Sequence, residues 1–395
     1  MSDFRVDPDR RLEFLAHAEV EASRRGLHDV TIVDCDCHHY ETQSLTEIAR
    51  HMDKPAIKRV FERYSPMAIS RQMMPGTAGD RNVAGRIWGA EFDPTIPEEA
   101  LDPRLHPVAA RLKYTMRRMA IDYAVLFPTP MLVLGTHPQV DVEVELARAY
   151  DRWLVEEVLA CDPSIFSMLY LPISDPDACL DLIDELGERR GVLGFMITAV
   201  RYQPIWQNRF LRVFAALNER RLPLAFHAGP NWGERVFEQC NRFLAVHALG
   251  FPFYAMVQLT NVILNGFPER FPDLRLIFME AGVAWLPFIM QRLDSEYRMR
   301  SSEAPLLRRL PSEYIRDCYF TTQPLERPER ADHFRALMEM TGGATQLLYA
   351  SDYPHQDFDL PSAIWDLPID EACRRAILGG NAMRLFGLPD PARTA

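Results

Sequence analysis

Basic charge is in short supply. Lys and Arg number 44 against 55 Asp and Glu, a net charge of −11 with His neutral. Nucleic-acid binding leaves a basic footprint, and with none here no nucleic-acid partner is expected. Small anionic ligands stay open, because they answer to local charge rather than to the total. Cysteine is sparse and unpaired in pattern: seven residues, an odd number, with no Cys-x-x-Cys spacing. That argues against a disulfide framework and for free thiols in a reducing compartment, with the cytoplasm as the default. No apolar run is expected to reach membrane-spanning length, so no membrane partner is expected. The stretch from Met1 to Arg25 is charged and helix-like, unlike a signal peptide. No Gly-x-Gly-x-x-Gly follows the first strand, which weakens a dinucleotide site. No Gly-x-Ser-x-Gly or Ser-His-Asp pattern is present, and no internal repeat is evident.

What is there suits a large folded enzyme. The 395 residues are 48% hydrophobic and 25% charged, ordinary for a globular chain with a sizeable core. Length alone allows two domains, or one barrel with insertions. Residues 8 to 25 read as an amphipathic helix with Leu12, Phe14 and Leu15 as apolar contacts. Strands are expected at 30–36, 123–127, 166–171, 192–197, 222–227, 274–280, 318–321 and 347–351, with helices between most of them. Regular alternation implies a parallel sheet, and eight units suggest a closed (β/α)₈ TIM barrel in the α/β class. A doubly wound open sheet is the alternative. The expected organisation is an N-terminal helical arm over 1–29 and a barrel over 30–395, with a long insertion after the first strand at 41–118. Long inserts in compact domains are commonly lids. This one holds Met67, Met73, Met74, Trp88, the run Pro75 to Gly89, and the arginines Arg71, Arg81 and Arg86. Arg86 is taken as the residue that would pair with a substrate carboxylate in bidentate fashion.

Barrel enzymes carry their chemistry at the C-terminal ends of strands. The first strand runs into Asp36 and His38, the fifth ends in His227, the sixth in Glu280 and the eighth in Asp352. Residues two apart on a strand share a face, so Asp36 and His38 can act together. Apolar strands that stop on His, Glu and Asp place ionisable groups where a core would not want them. Asp36, His38, His227 and Asp352 are therefore the expected ligands of one divalent metal, Zn²⁺ first, with Mn²⁺ or Fe²⁺ as alternatives. Asp352 could also serve as a general base, and Glu280 as a proton donor or substrate contact. His355 could orient a ligand or touch substrate. His39 is expected to face away and be structural, as are Tyr150, Asp151 and Trp153. His247 is read as preceding an apolar helix in a packing or capping role, and Trp285 as packing behind strand six.

At these residues the chain resembles the amidohydrolase superfamily, in the amidohydrolase-related branch that includes aminocarboxymuconate-semialdehyde and resorcylate-type decarboxylases. The resembling stretches are 33–38, Phe226-His227-Ala228-Gly229, 266–275, 280–287, Ser351-Asp352-Tyr353-Pro354-His355 and 380–386. The resemblance implies a (β/α)₈ barrel, a mononuclear metal on the same four residues, and a homodimer. The sequence departs from it twice. Those decarboxylases carry His or Glu where Asp36 stands, and a histidine where Glu280 stands. A metal-dependent hydrolase acting on a small, aromatic or carboxylated substrate through metal-activated water is thus put first. A non-oxidative decarboxylase of an aromatic or muconate-like acid is the alternative, and a non-catalytic binding barrel is a third reading.

Overall fold

A computed structural model describes residues 11–63, 96–198, 203–229, 235–355 and 357–391. Arg71, Arg81, Arg86 and the run Pro75 to Gly89 fall outside them, as do Met67, Met73, Met74 and Trp88. Eight parallel strands run in sequential order: β1 (Val33–His39), β2 (Tyr123–Pro128), β3 (Ile165–Tyr170), β4 (Val192–Thr198), β5 (Leu224–His227), β6 (Leu276–Met279), β7 (Tyr319–Thr321) and β8 (Leu347–Leu348). Sequential parallel neighbours with helices between them make the expected (β/α)₈ barrel. The strands are short and almost wholly buried. Apart from β1, with its two Asp and two His, they are hydrophobic runs, as a parallel sheet covered by helices requires.

The barrel closes differently from the way it is built. Along the sheet each strand pairs with the next by a parallel ladder, with register shifts between Asp34 and Cys37 on β1 and between Ser167 and Met168 on β3. Between β8 and β1 the join uses Cys35 N–H to Tyr349 O at 2.9 Å and Asp352 N–H to Asp36 O at 2.7 Å. Asp34 adds a side-chain clasp, accepting from Ser351 N at 2.8 Å and Ser351 Oγ at 2.6 Å. Burial pushes the Asp34 carboxyl up to about 7 against these hydrogen bonds.

Helices cover the outside: α1 (Arg11–Arg24), α2 (Pro107–Met119), α3 (Val140–Trp153), α4 (Pro176–Leu186), α5 (Asn208–Glu219), α6 (Phe243–Leu264), α7 (Leu286–Arg300), α8 (Ala331–Thr341) and α9 (Asn381–Phe386). Local chemistry sets their ends. Asp175 caps α4 by accepting from Asp177 N and Ala178 N, with Pro176 at the first position. Gly342, at φ 76°, stops α8. The α1 arm buries Leu15, Ala18 and Ala22, and Phe14 meets Phe358 edge-on at 6.0 Å.

The insertion after β1 ends in helix, the thirteen residues of α2. Helix α6 is 22 residues long, with mean hydropathy 1.4 over an 18-residue window, long and apolar enough to cross a membrane by length and composition. The sequence reading missed this run because Pro252 and scattered polar residues interrupt it. Here α6 takes the place of the helix after β5, with Ala255, Leu259, Val262 and Ile263 in the main hydrophobic core. His247 lies inside this helix, not before it.

Candidate active site

Strand alternation decides which side chains meet. On β5, β6 and β7 the rings of Phe226, Phe278 and Phe320 stack in a row at 5.0 and 5.6 Å, and Trp285 closes on Phe320 from the helix layer. The next residue on β5, His227, therefore points to the opposite face, into the barrel. On β1 the same alternation sends Asp36 and His38 one way. His39 goes the other way and binds Tyr150 Oη through Nε2 at 2.9 Å. Cys37 turns outward to Val125 O at 3.3 Å.

Asp36, His38, His227 and Asp352 converge. His38 Nε2 lies 3.1 Å from Asp36 Oδ1 and 3.2 Å from Asp352 Oδ1. His227 Nε2 lies 3.2 Å from the same Asp36 oxygen. All four side chains are fully buried. The tautomers follow from their other nitrogens. His38 Nδ1–H donates to Pro128 O at 2.9 Å and His227 Nδ1–H to Ala228 O at 2.8 Å. A neutral ring that donates from Nδ1 presents a bare lone pair at Nε2. Two such lone pairs therefore face carboxylate oxygens at about the distance of a shared cation or proton. Asp36 Oδ2 and Glu280 Oε2 are buried without a hydrogen-bond partner. This donor set, two imidazoles fixed by backbone carbonyls plus two carboxylates, fits a divalent metal.

The electrostatics favour positive charge here, as a proton on His38 Nε2 or a cation in its place. Burial alone would lower His38, yet Asp36 and Asp352 beside it push it up to about 10. Burial works to raise Asp36, but His227 and His38 hold it below the usual carboxylate range. Asp352 is lowered likewise, against burial, by His355 and His38. Glu280 goes the other way. Burial first, then the charges of Asp352 and Asp36, push its carboxyl well above the usual range. Its oxygens lie 3.5 Å from His227 Nδ1 and 4.0 Å from His355 Nδ1.

Backbone strain delivers both carboxylates. Glu280 and Asp352 sit at φ 54° and φ 59°, the left-handed region that side chains other than glycine seldom adopt. Each such residue costs on the order of 1–3 kcal/mol and persists only where surroundings enforce it. Thr321 Oγ1 accepts from Glu280 N at 2.9 Å, and Asp36 O from Asp352 N.

His355 is brought in as expected. Its Nδ1 contacts Asp352 Oδ1 at 2.7 Å, its Nε2 contacts Thr129 Oγ1 at 3.2 Å, and its ring stacks on His38 at 4.3 Å. The supporting residues escaped the sequence reading. Glu41, fully buried, accepts from Thr129 N and Met131 N and so fixes the loop that meets His355. Gln323 Nε2 donates to Asp352 Oδ2 at 3.0 Å. Only its place just past a strand end could have marked it. Gln323→Leu should weaken metal binding by about 10–100-fold, the usual cost of losing a ligand's orienting partner. Competition with a chelator measures this, and an unchanged affinity would remove Gln323 from the site.

Gly282, two residues past Glu280, has φ +65°, and an added Cβ would lie 2.3 Å from Glu326 Oε1. That carboxylate is held by Val283 N and Ala284 N. Gly282→Ala should therefore cost about 2 kcal/mol or more, from the left-handed backbone and the displaced acceptor. Denaturant unfolding checks this, and an unshifted midpoint refutes it.

Among the described residues one other ligand-like group lies outside the barrel: Glu47, His106 and Glu157. There His106 Nδ1 accepts from Val108 N at 3.2 Å, so Nε2 carries the proton and donates to Glu47 at 2.9 Å. This is a clasp within the insert that leaves no imidazole lone pair on His106 for a cation.

Comparison with known proteins agrees with the geometry. A gamma-resorcylate decarboxylase from Rhizobium sp. (strain MTP-10005) is 24% identical over 270 residues, covering 62% of this chain and 77% of the relative. The fold matches 5-carboxyvanillate decarboxylase from Sphingomonas paucimobilis with a TM-score of 0.64 and 20% identity, over 91% of this chain and 100% of the other. It also matches a dihydroxybenzoic acid decarboxylase from Polaromonas sp. JS666, solved with manganese and 2-nitroresorcinol, with a TM-score of 0.62 and 17% identity over 91% and 97% of the two chains. The amidohydrolase family model matches residues 33–388, from the first residue of β1 to just past α9. The chain belongs to the amidohydrolase family.

Proposed function

We propose that this chain is a divalent-metal-dependent carboxy-lyase that removes carbon dioxide from a small aromatic acid without an oxidant. Asp36, His38, His227 and Asp352 would hold the metal, with Zn²⁺ and Mn²⁺ both suited to the donors. When bound, that cation supplies positive charge to orient and polarise a substrate carboxylate and a neighbouring oxygen. The observation that carries the reading is Glu280. Its carboxyl is buried beside Asp352 and Asp36, which favours the protonated form. Loss of carbon dioxide from a ring needs a proton for the carbon left behind. A C–H bond forms at that carbon as the proton leaves Glu280. The C–C bond to the carboxylate then breaks, its electron pair returns to the ring, and carbon dioxide departs. Solvent later reprotonates Glu280.

The hydrolase reading put first from the sequence now stands second. It needs a base to take a proton from water, and Asp352 is poorly suited. Its oxygens face Gln323 Nε2, His355 Nδ1 and His38 Nε2, and its carboxyl is held below the usual range. His355, stacked on His38 and partly exposed, remains the proposed substrate contact, with Arg86 a second. Carbon dioxide release over a panel of hydroxybenzoates and muconate-like acids tests the proposal. Release from at least one of them is expected. Cleavage of amides or esters with no carbon dioxide from any acid would overturn it.

A further inference from the structure

The long helix α6 carries no Asp, Glu, Lys or Arg from Phe243 to Leu264, and one histidine, His247. An imidazole on so apolar a helix invites a reason. His247 Nε2 lies 3.7 Å from Asp357 Oδ2, and its ring is flanked on its own helix by Phe251 at 4.5 Å and Phe243 at 5.7 Å. A separation of 3.7 Å is too long for a hydrogen bond, and a third polar group can bridge it.

The pair is tied to the candidate catalytic site. Gln323 Nε2 donates both to Asp352 Oδ2 and, at 3.3 Å, to the carbonyl of Asp357. One amide nitrogen thus ties the outer residue to a proposed metal ligand. Side-chain exposure falls steadily along this track. It is 41% at Asp357, 31% at His247, 17% at His355, 6% at Glu280 and nil at Asp352. A substrate whose carboxylate reaches the buried end leaves its far edge near the exposed one.

We propose that His247 and Asp357 form a hydroxyl-binding subsite at this mouth, taking the distal hydroxyl of a phenolic acid. The proposal rests on the reading of an aromatic-acid substrate. A hydroxyl donates one hydrogen to the Asp357 carboxylate and accepts one from the imidazole, which neither a carboxylate nor an ether can do. A second carboxylate would be repelled by Asp357, with Asp359 two residues on. The flanking Phe243 and Phe251 hold the imidazole plane and offer apolar surface to a ring edge.

Calorimetric titration of the metal-loaded enzyme with 2,4-dihydroxybenzoate, salicylate and 2-hydroxy-4-methoxybenzoate tests the subsite. The parent should bind the dihydroxy acid more tightly than the other two. In His247→Phe the ratio of dissociation constants, dihydroxy acid against salicylate, should shrink by about tenfold, the scale of a hydrogen bond to a charged pair. His247→Gln, which keeps an N–H donor, should restore most of it, and Asp357→Asn should shrink it. Unchanged melting temperatures would confirm that the variants fold. A parent without preference for the dihydroxy acid, or a preference untouched in His247→Phe and Asp357→Asn, overturns the subsite. Because the readout is binding, the absence of carbon dioxide release would count against the carboxy-lyase reading alone.

Discussion

Glu280→Gln is expected to lower turnover by about 10²-fold or more, the usual worth of a positioned proton donor, while metal content and melting temperature hold. Gln keeps the length and hydrogen bonding of Glu but has no proton to give. The left-handed backbone at Glu280 is also as tolerable for Gln as for Glu, since both carry the same Cβ. A fall in kcat with little change in substrate binding would mark an interaction made in the transition state. Glu280→His supplies the residue that the resemblance to resorcylate-type decarboxylases implies at this place. It should retain carbon dioxide release where Gln does not. A Glu280→Gln enzyme as active as the parent across the pH range would end the proton-donor role.

His227→Ala should strip the metal. The imidazole is fully buried, its Nδ1 is anchored to Ala228 O, and its Nε2 lies 3.2 Å from Asp36 Oδ1. Loss of an orienting partner alone costs about 10–100-fold in metal affinity, so loss of the ligand itself should cost at least that. Elemental analysis of protein purified without chelator should find close to one Zn, Mn or Fe per parent chain and far less in the variant. Carbon dioxide release should fall in step. Metal content equal to the parent's would remove His227 from the ligand set.

Much of this architecture was legible in the residues, and the gaps have physical causes. Strand–helix alternation and the polar strand ends led to the barrel and to the four converging side chains. The bounds of β1 were misread as 30–36. The observed strand runs on through His38 and His39, which pair with Phe127 and Pro128. Polar residues in a buried rim do not look like strand, although the ladder includes them. Gln323 and Glu41, and the clasp that Asp34, read only as sharing a face with Asp36 and His38, makes on Ser351, were missed because each acts on a residue distant in sequence: Asp352, Thr129 and Ser351. Spacing along the chain carries no trace of such contacts. His247 was set aside for a related reason. A helix without a polar face has no visible period, so nothing indicated which way the ring would point.

The irregular join between β8 and β1 gives the candidate metal a mechanical meaning. Asp36 and His38 stand on one side of that seam and Asp352 on the other, and β8 contributes only two residues of ladder. An ion shared across the seam would act as a rivet, closing the ring where no regular ladder joins its first and last strands. Whatever binds the closed form and not the open one stabilises it, by about 4 kcal/mol at a thousandfold excess over the dissociation constant. The barrel and its reactive centre would then come apart together, starting from the same edge.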